Sequence, residues 1–175
     1  IYITGSNAWF LSSELATLLT GRYIEIKMLP LSFKEYMYAF EDKTDISRKF
    51  RDYLRYSSFP QAVELYKINP NNINLFLDGI YNTILFKDVM QRKGITDKNT
   101  LERITKYLYD NIGNRTSVKS ISDNIEGLER NNSYNTVSTY IQALIDSYIV
   151  YRVNRYDIKG KEFLKTQEKY YAIDI

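Results

Sequence analysis

The sequence predicts a mostly α-helical protein with a little β, and three observations carry that prediction. Residues 1–28 read as strand, helix, strand; residues 31–112 carry apolar side chains at helical spacing almost throughout; residues 113–175 read as two short helices followed by two strands.

The first stretch, "IYITGSN", alternates β-branched and aromatic residues through Thr4 and then turns polar at Gly5, Ser6 and Asn7. That is a buried strand running into a turn, the place where an α/β sheet keeps its chemistry. A strand cannot make a sheet alone, so partner strands are expected outside these residues. Leu11, Leu15, Leu18 and Leu19 follow on one helical face, with Ser12 or Ser13 as cap and Gly21 as the helix-ending residue. "RYIEIKMLP" then places Tyr23, Glu25 and Lys27 outward against Ile24, Ile26 and Met28 inward, a second short strand stopped by Pro30.

From Leu31 the period changes. Ser32 and Glu35 have the capping-box spacing, in which each side chain satisfies a free backbone N–H at the other end of the first turn. Helices are expected at 46–56, 60–67, 72–92 and 99–112, separated by "SSFP", "NPNN" and "KGITDKN". Asp88 and Arg92 lie four apart in the favourable orientation of a surface ion pair. The aromatic excess, including Tyr53, Tyr56, Tyr81, Tyr107 and Tyr109, falls at helical spacings, which assigns it to packing rather than to stacking on bases.

In the last stretch Val118, Ile121 and Ile125 line one helix, and Val137, Ile141, Leu144 and Ile145 a second, with a polar turn between them. "YIVYRVNRYDIKGKEFLKTQEKYYAID" reads as two strands around Gly160. A helix-turn-helix followed by a β-hairpin is a winged helix.

Composition narrows the function. The 175 residues include 44% hydrophobic and 15% aromatic side chains, the profile of a folded protein rather than a disordered one. With no Cys and no His there is no disulfide, no zinc finger and no Ser-His-Asp triad. No apolar run approaches the roughly 18 to 20 residues that span a bilayer, and the first residues lack a signal-peptide pattern, so the sequence reads as cytoplasmic without a membrane partner. A net charge of +3 over 24 basic and 21 acidic residues is too even to announce a nucleic-acid binder.

Within the winged helix, Asn135, Ser138, Thr139 and Gln142 project away from the apolar stripe of the second helix, and Asn and Gln side chains can read adenine in the major groove. Arg152, Arg155, Lys159 and Lys161 in the hairpin are candidates for phosphate contacts. Against DNA binding, the recognition helix carries no Lys or Arg, and phosphate neutralisation dominates affinity. A winged helix also serves as a protein contact.

Several segments, in order, resemble a prokaryotic family of AAA-type ATPases whose C-terminal region is a domain of unknown function. They are "ITGSN", "LTGRY", "LPLSFKEY", "YSSFP", "ILFKDVMQRKGI", "TVSTYIQALIDSYIVYRVNRYDIKGK" and "KYYAID". In "YSSFP" Ser57 and Ser58 stand where the family has Gly-Gly.

The resemblance implies the end of an α/β ATPase core over residues 1–31, a helical lid domain over 32–112, and over 113–175 a winged helix-turn-helix with the start of a following β region. It implies a nuclease-like region beyond Asp174, and a start at the strand that carries a polar sensor. Ser6 or Asn7 would then position the attacking water or bind a γ-phosphate oxygen, and Arg22 would be an arginine finger reaching into a neighbouring subunit of a homo-oligomeric parent. Each residue also has a plain structural role open to it: helix capping for Ser6 and Asn7, and a helix C-terminal contact for Arg22.

ATP and magnesium belong, on this resemblance, to the parent protein. The 175 residues contain no G-x-x-x-x-G-K-[ST] loop and no hydrophobic run ending in paired acids, so no cofactor and no hydrolysis are expected of them alone. The alternatives are a winged-helix DNA-binding regulator and a protein-interaction domain.

Overall fold

The computed structural model describes residues 22, 24, 26–91, 93–125, 133–154 and 167–174. They fall into two units, one over Arg22–Ile84 with the segment from Ile173, the other over Leu85–Ala172.

In the first unit, helix α1 (Phe33–Tyr38) begins with the predicted capping box: Glu35 Oε2 accepts the Ser32 backbone N–H at 2.8 Å, and Ser32 Oγ accepts the Glu35 N–H at 3.3 Å. Helix α2 (Ile46–Tyr56) is capped by Asp45, whose carboxylate accepts the Arg48 N–H at 3.1 Å from a left-handed backbone (φ 48°) that Asp tolerates. Pro60 opens α3 (Pro60–Ile68) at a position where its missing N–H costs nothing. A 3-10 turn, Pro70–Asn72, leads to α4 (Ile73–Thr83).

The core of this unit is aromatic. Tyr36, Tyr53 and Val63 are buried, with Leu31, Phe33, Ala39 and Phe40 packed around them. Tyr53 meets Tyr36 and Phe33 edge-on at 5.3 and 5.4 Å between ring centres, and its hydroxyl donates to the Leu31 carbonyl at 2.9 Å. Tyr53 is thus the packing residue its spacing predicts, whereas Tyr81 and Tyr109 stand at the surface.

A π-helical stretch, Ile84–Gln91, follows α4 in the chain. The sequence predicts one helix over 72–92, but its apolar repeat does not separate α from π winding over so few residues. In the second unit, α5 (Lys98–Asp110) starts at Asp97, which accepts the Thr100 N–H at 3.0 Å, and buries Leu101, Ile104, Thr105 and Leu108 along one face. Helix α6 (Val118–Asn124) is capped by Ser117 and buries Ile121. Helix α7 (Ser133–Asp146) buries Val137, Tyr140, Ile141, Ala143 and Leu144.

Strands β1 (Val150–Val153) and β2 (Lys169–Ala172) pair antiparallel, Val150 opposite Ala172 and Val153 opposite Lys169. Thr116 forms an isolated bridge with Glu168 just before β2. The small sheet agrees with the predicted hairpin, whose Gly160 turn lies outside the described residues.

One expectation is corrected. Ile24, Ile26 and Met28, predicted to face inward along a strand, are exposed, and no strand forms among the described residues of that stretch. Alternation specifies which side chains a strand would bury, but a ladder needs a neighbouring strand to accept its hydrogen bonds.

Candidate functional site

Ser6 and Asn7 lie outside the described residues, as do Arg155, Lys159 and Lys161 of the hairpin. Arg22 is exposed, in a bend. The remaining predicted residues sit on α7 and β1. Asn135, Thr139 and Gln142 are exposed and Ser138 is half-buried, so the polar face of α7 is where the apolar spacing puts it.

Two of these side chains have carboxylate partners. The Gln142 amide donates to Asp146 Oδ1 at 2.8 Å, and Asp146 Oδ2 receives Lys93 Nζ at 2.7 Å. Gln142 is therefore engaged by a carboxylate on its own helix. In β1, Arg152 lies 3.5 Å from Glu168 Oε1, which offsets its charge.

Sequence reasoning missed a cluster at the start of α3. Ser57 and Ser58 are buried, and both hydroxyls reach the carboxylate of Asp174. Ser57 Oγ donates to Asp174 Oδ2, while Oδ1 accepts Ser58 Oγ at 2.5 Å and the Ser58 backbone N–H at 3.0 Å. Ser57 Oγ in turn accepts the Phe59 N–H at 3.1 Å, and the Ser58 carbonyl accepts Leu31 N–H at 2.9 Å.

Ser57 has φ 75° and ψ 158°, a conformation that only glycine takes without strain. The Gly-Gly of the resembling family was the available signal: a residue type lacking Cβ suits this backbone. Both hydroxyls are taken up by one carboxylate, so the cluster is a carboxylate clamp on a strained turn.

A cleft of about 210 Å³ in the first unit is lined by Tyr36, Phe40, Asp42, Asp45, Arg48, Lys49, Asp52 and Tyr66. Both of its cations face carboxylates: Lys49 Nζ is 3.6 Å from Asp42 and Arg48 Nε is 3.8 Å from Asp52, while Tyr66 donates to Asp52 at 2.9 Å. Burial pushes the Tyr36 phenol up to about 12, with Tyr66 and Asp52 adding to the effect. Burial and the bond to Asp52 raise Tyr66 as well. Both phenols are held protonated, which makes them poor bases.

That shift predicts an alkaline loss of stability. An unfolded Tyr titrates near about 10, so the contribution of the buried, protonated Tyr36 is whole below that pH and is lost as pH rises toward its folded value. Tyr36→Phe is expected to flatten the fall in urea midpoint between about pH 9 and pH 11.5. Parallel pH profiles for the two proteins would refute the assignment.

Two family models match the chain: one described as "Domain of unknown function (DUF8612)" over residues 47–175, the other as "AAA domain" over residues 1–37. A Haemophilus influenzae protein described as uncharacterized is 37% identical over 177 residues, covering 99% of this chain and 44% of that protein. The uncharacterized protein MJ1544 of Methanocaldococcus jannaschii is 26% identical over 186 residues, covering 99% of this chain and 41% of its own length. The chain thus spans less than half the length of these curated relatives. No solved structure matches.

Proposed function

The chain belongs to the family described as "Domain of unknown function (DUF8612)", and on that premise, joined to the AAA match over residues 1–37, we propose that it is a portion of a longer AAA-type ATP-binding protein. In this reading Ser6 and Asn7 are the polar sensor and Arg22 is the arginine finger of a homo-oligomer. Residues 32–112 form a helical lid, and a winged helix over 113–175 transmits nucleotide state or binds a partner.

The AAA match carries the proposal. The exposed Ile24, Ile26 and Met28, which fall inside it, support it as an apolar edge that a neighbouring strand of the longer protein would cover.

The chain has no glycine-rich phosphate loop, so in this reading ATP and its metal belong to the longer protein. What this chain contributes is a permanently charged guanidinium at Arg22, suited to the charge that develops on a transferring phosphoryl group.

Residues 1–175 alone are expected to show no ATP turnover. In the longer protein, Arg22→Ala is expected to lower kcat by about a thousandfold while nucleotide affinity changes little, since a finger acts on the transition state. Unchanged turnover in the assembled oligomer would sink the finger assignment.

A further inference from the structure

Helix α2 is covered on one side only. Of its eleven residues Tyr53 alone is buried, while Ile46, Phe50 and Leu54 are 60%, 45% and 40% exposed. These three recur every fourth position and so form one ridge along the helix. Scattered apolar side chains at a surface are ordinary, but a continuous ridge on a helix with one buried residue is not. An isolated helix of this length is marginal in water, and covering the ridge would add the burial it lacks.

The neighbouring ridge is cationic. Ser47, Arg51 and Arg55 lie one position on from the apolar three and are exposed. Neither Arg51 nor Arg55 has a carboxylate partner among the described residues; Arg55 lies over the Tyr56 ring at 5.3 Å. The Phe50 ring rests edge-on against Phe33 at 5.0 Å, which holds the ridge in place from beneath.

We propose that this face of α2 docks a helix of a separate protein, one bearing apolar side chains at helical spacing beside a row of Asp or Glu. Charge complementarity selects that partner. A second copy of α2, laid antiparallel, would bring Arg51 and Arg55 against the same arginines, which repel. A phosphate backbone would leave the apolar ridge without a partner. An anionic bilayer would meet Glu41, Asp42 and Asp45, all exposed ahead of Ile46. A charged flank beside a narrow apolar seam is also the character of a reversible interface rather than a permanent one. The docking is read as helix-on-helix, with Ile46, Phe50 and Leu54 as the anchors.

The probe is a synthetic amphipathic peptide with Leu on one helical face and Glu on the other, titrated against the intact protein by fluorescence anisotropy. Saturable binding is expected, and both Phe50→Ser with Leu54→Ser and Arg51→Glu with Arg55→Glu should raise Kd by at least about tenfold. Arg51 and Arg55 are exposed and make no packing contact with the core, so the far-ultraviolet circular dichroism and thermal melt of the Arg51→Glu, Arg55→Glu variant should match the parent; the serine pair, which also removes the Phe50–Phe33 ring contact, should keep the helical spectrum at a lower melting temperature, and its binding is read below that temperature.

The absence of saturable binding would overturn the proposal, as would equal affinity for a sibling peptide with Lys in place of Glu. Tighter binding to phosphatidylserine vesicles or to a random duplex through the same residues would also overturn it. So would a Leu54→Cys thiol that fails to react with maleimide in the intact protein, since the protein's own chain would then cover the face. The chain has no native cysteine to confuse that readout within residues 1–175.

Discussion

Replacing Asp174 by Ala is expected to cost the protein about 2–4 kcal/mol of stability, read as a fall in urea midpoint at unchanged slope. The carboxylate is the acceptor for two buried hydroxyls and for the Ser58 backbone N–H. Removing it strands all three, and each buried donor without a partner costs about 1–3 kcal/mol, less where water can enter beside the half-buried Asp174. Asp174→Asn should cost less, because its amide oxygen still accepts while its NH2 meets a donor.

The same turn supplies the contrast. Ser57→Gly removes one hydroxyl and relieves a backbone held at φ 75°, so the two changes oppose each other and the net effect should lie within about 1 kcal/mol of zero. An Asp174→Ala variant as stable as the parent would mean that the clamp contributes nothing and the turn is held by packing.

The second large effect lies in the other unit. Ile104→Ala is expected to cost about 2–5 kcal/mol, because the side chain is wholly buried on α5 between Leu101 and Leu108 and its removal leaves a cavity lined by groups that cannot collapse fully. Leu75→Ala on α4 is the control: that side chain is 75% exposed, and its loss should stay within about 0.5 kcal/mol. Similar losses at both positions would contradict the assignment of the core to α5.

Much of the helical architecture was legible because its determinants are local. Ser32 with Glu35 specifies a helix start through hydrogen bonds spanning three residues. The apolar spacing of Val137, Ile141 and Leu144 identified the buried face of α7 for the same reason, and with it the exposure of Asn135, Thr139 and Gln142. The AAA relation was legible at the other extreme, from quoted segments rather than from physics, and the match over residues 1–37 agrees with it.

By itself, then, the sequence determined most of the helices, the Ser32–Glu35 capping box, the inward face of α7 and the pairing tendency of the last two strands, since each follows from residues close together in the chain. Tertiary structure alone decided what depends on distant partners. Asp174 meets Ser57 and Ser58 across more than a hundred residues, and no local pattern announces such a contact. Lys93 likewise reaches Asp146 across 53 residues, a pairing that no spacing on either helix announces. Ile24, Ile26 and Met28 alternate like a strand yet pair with nothing among the described residues, because strand formation needs donors and acceptors from another segment, whereas a helix supplies its own.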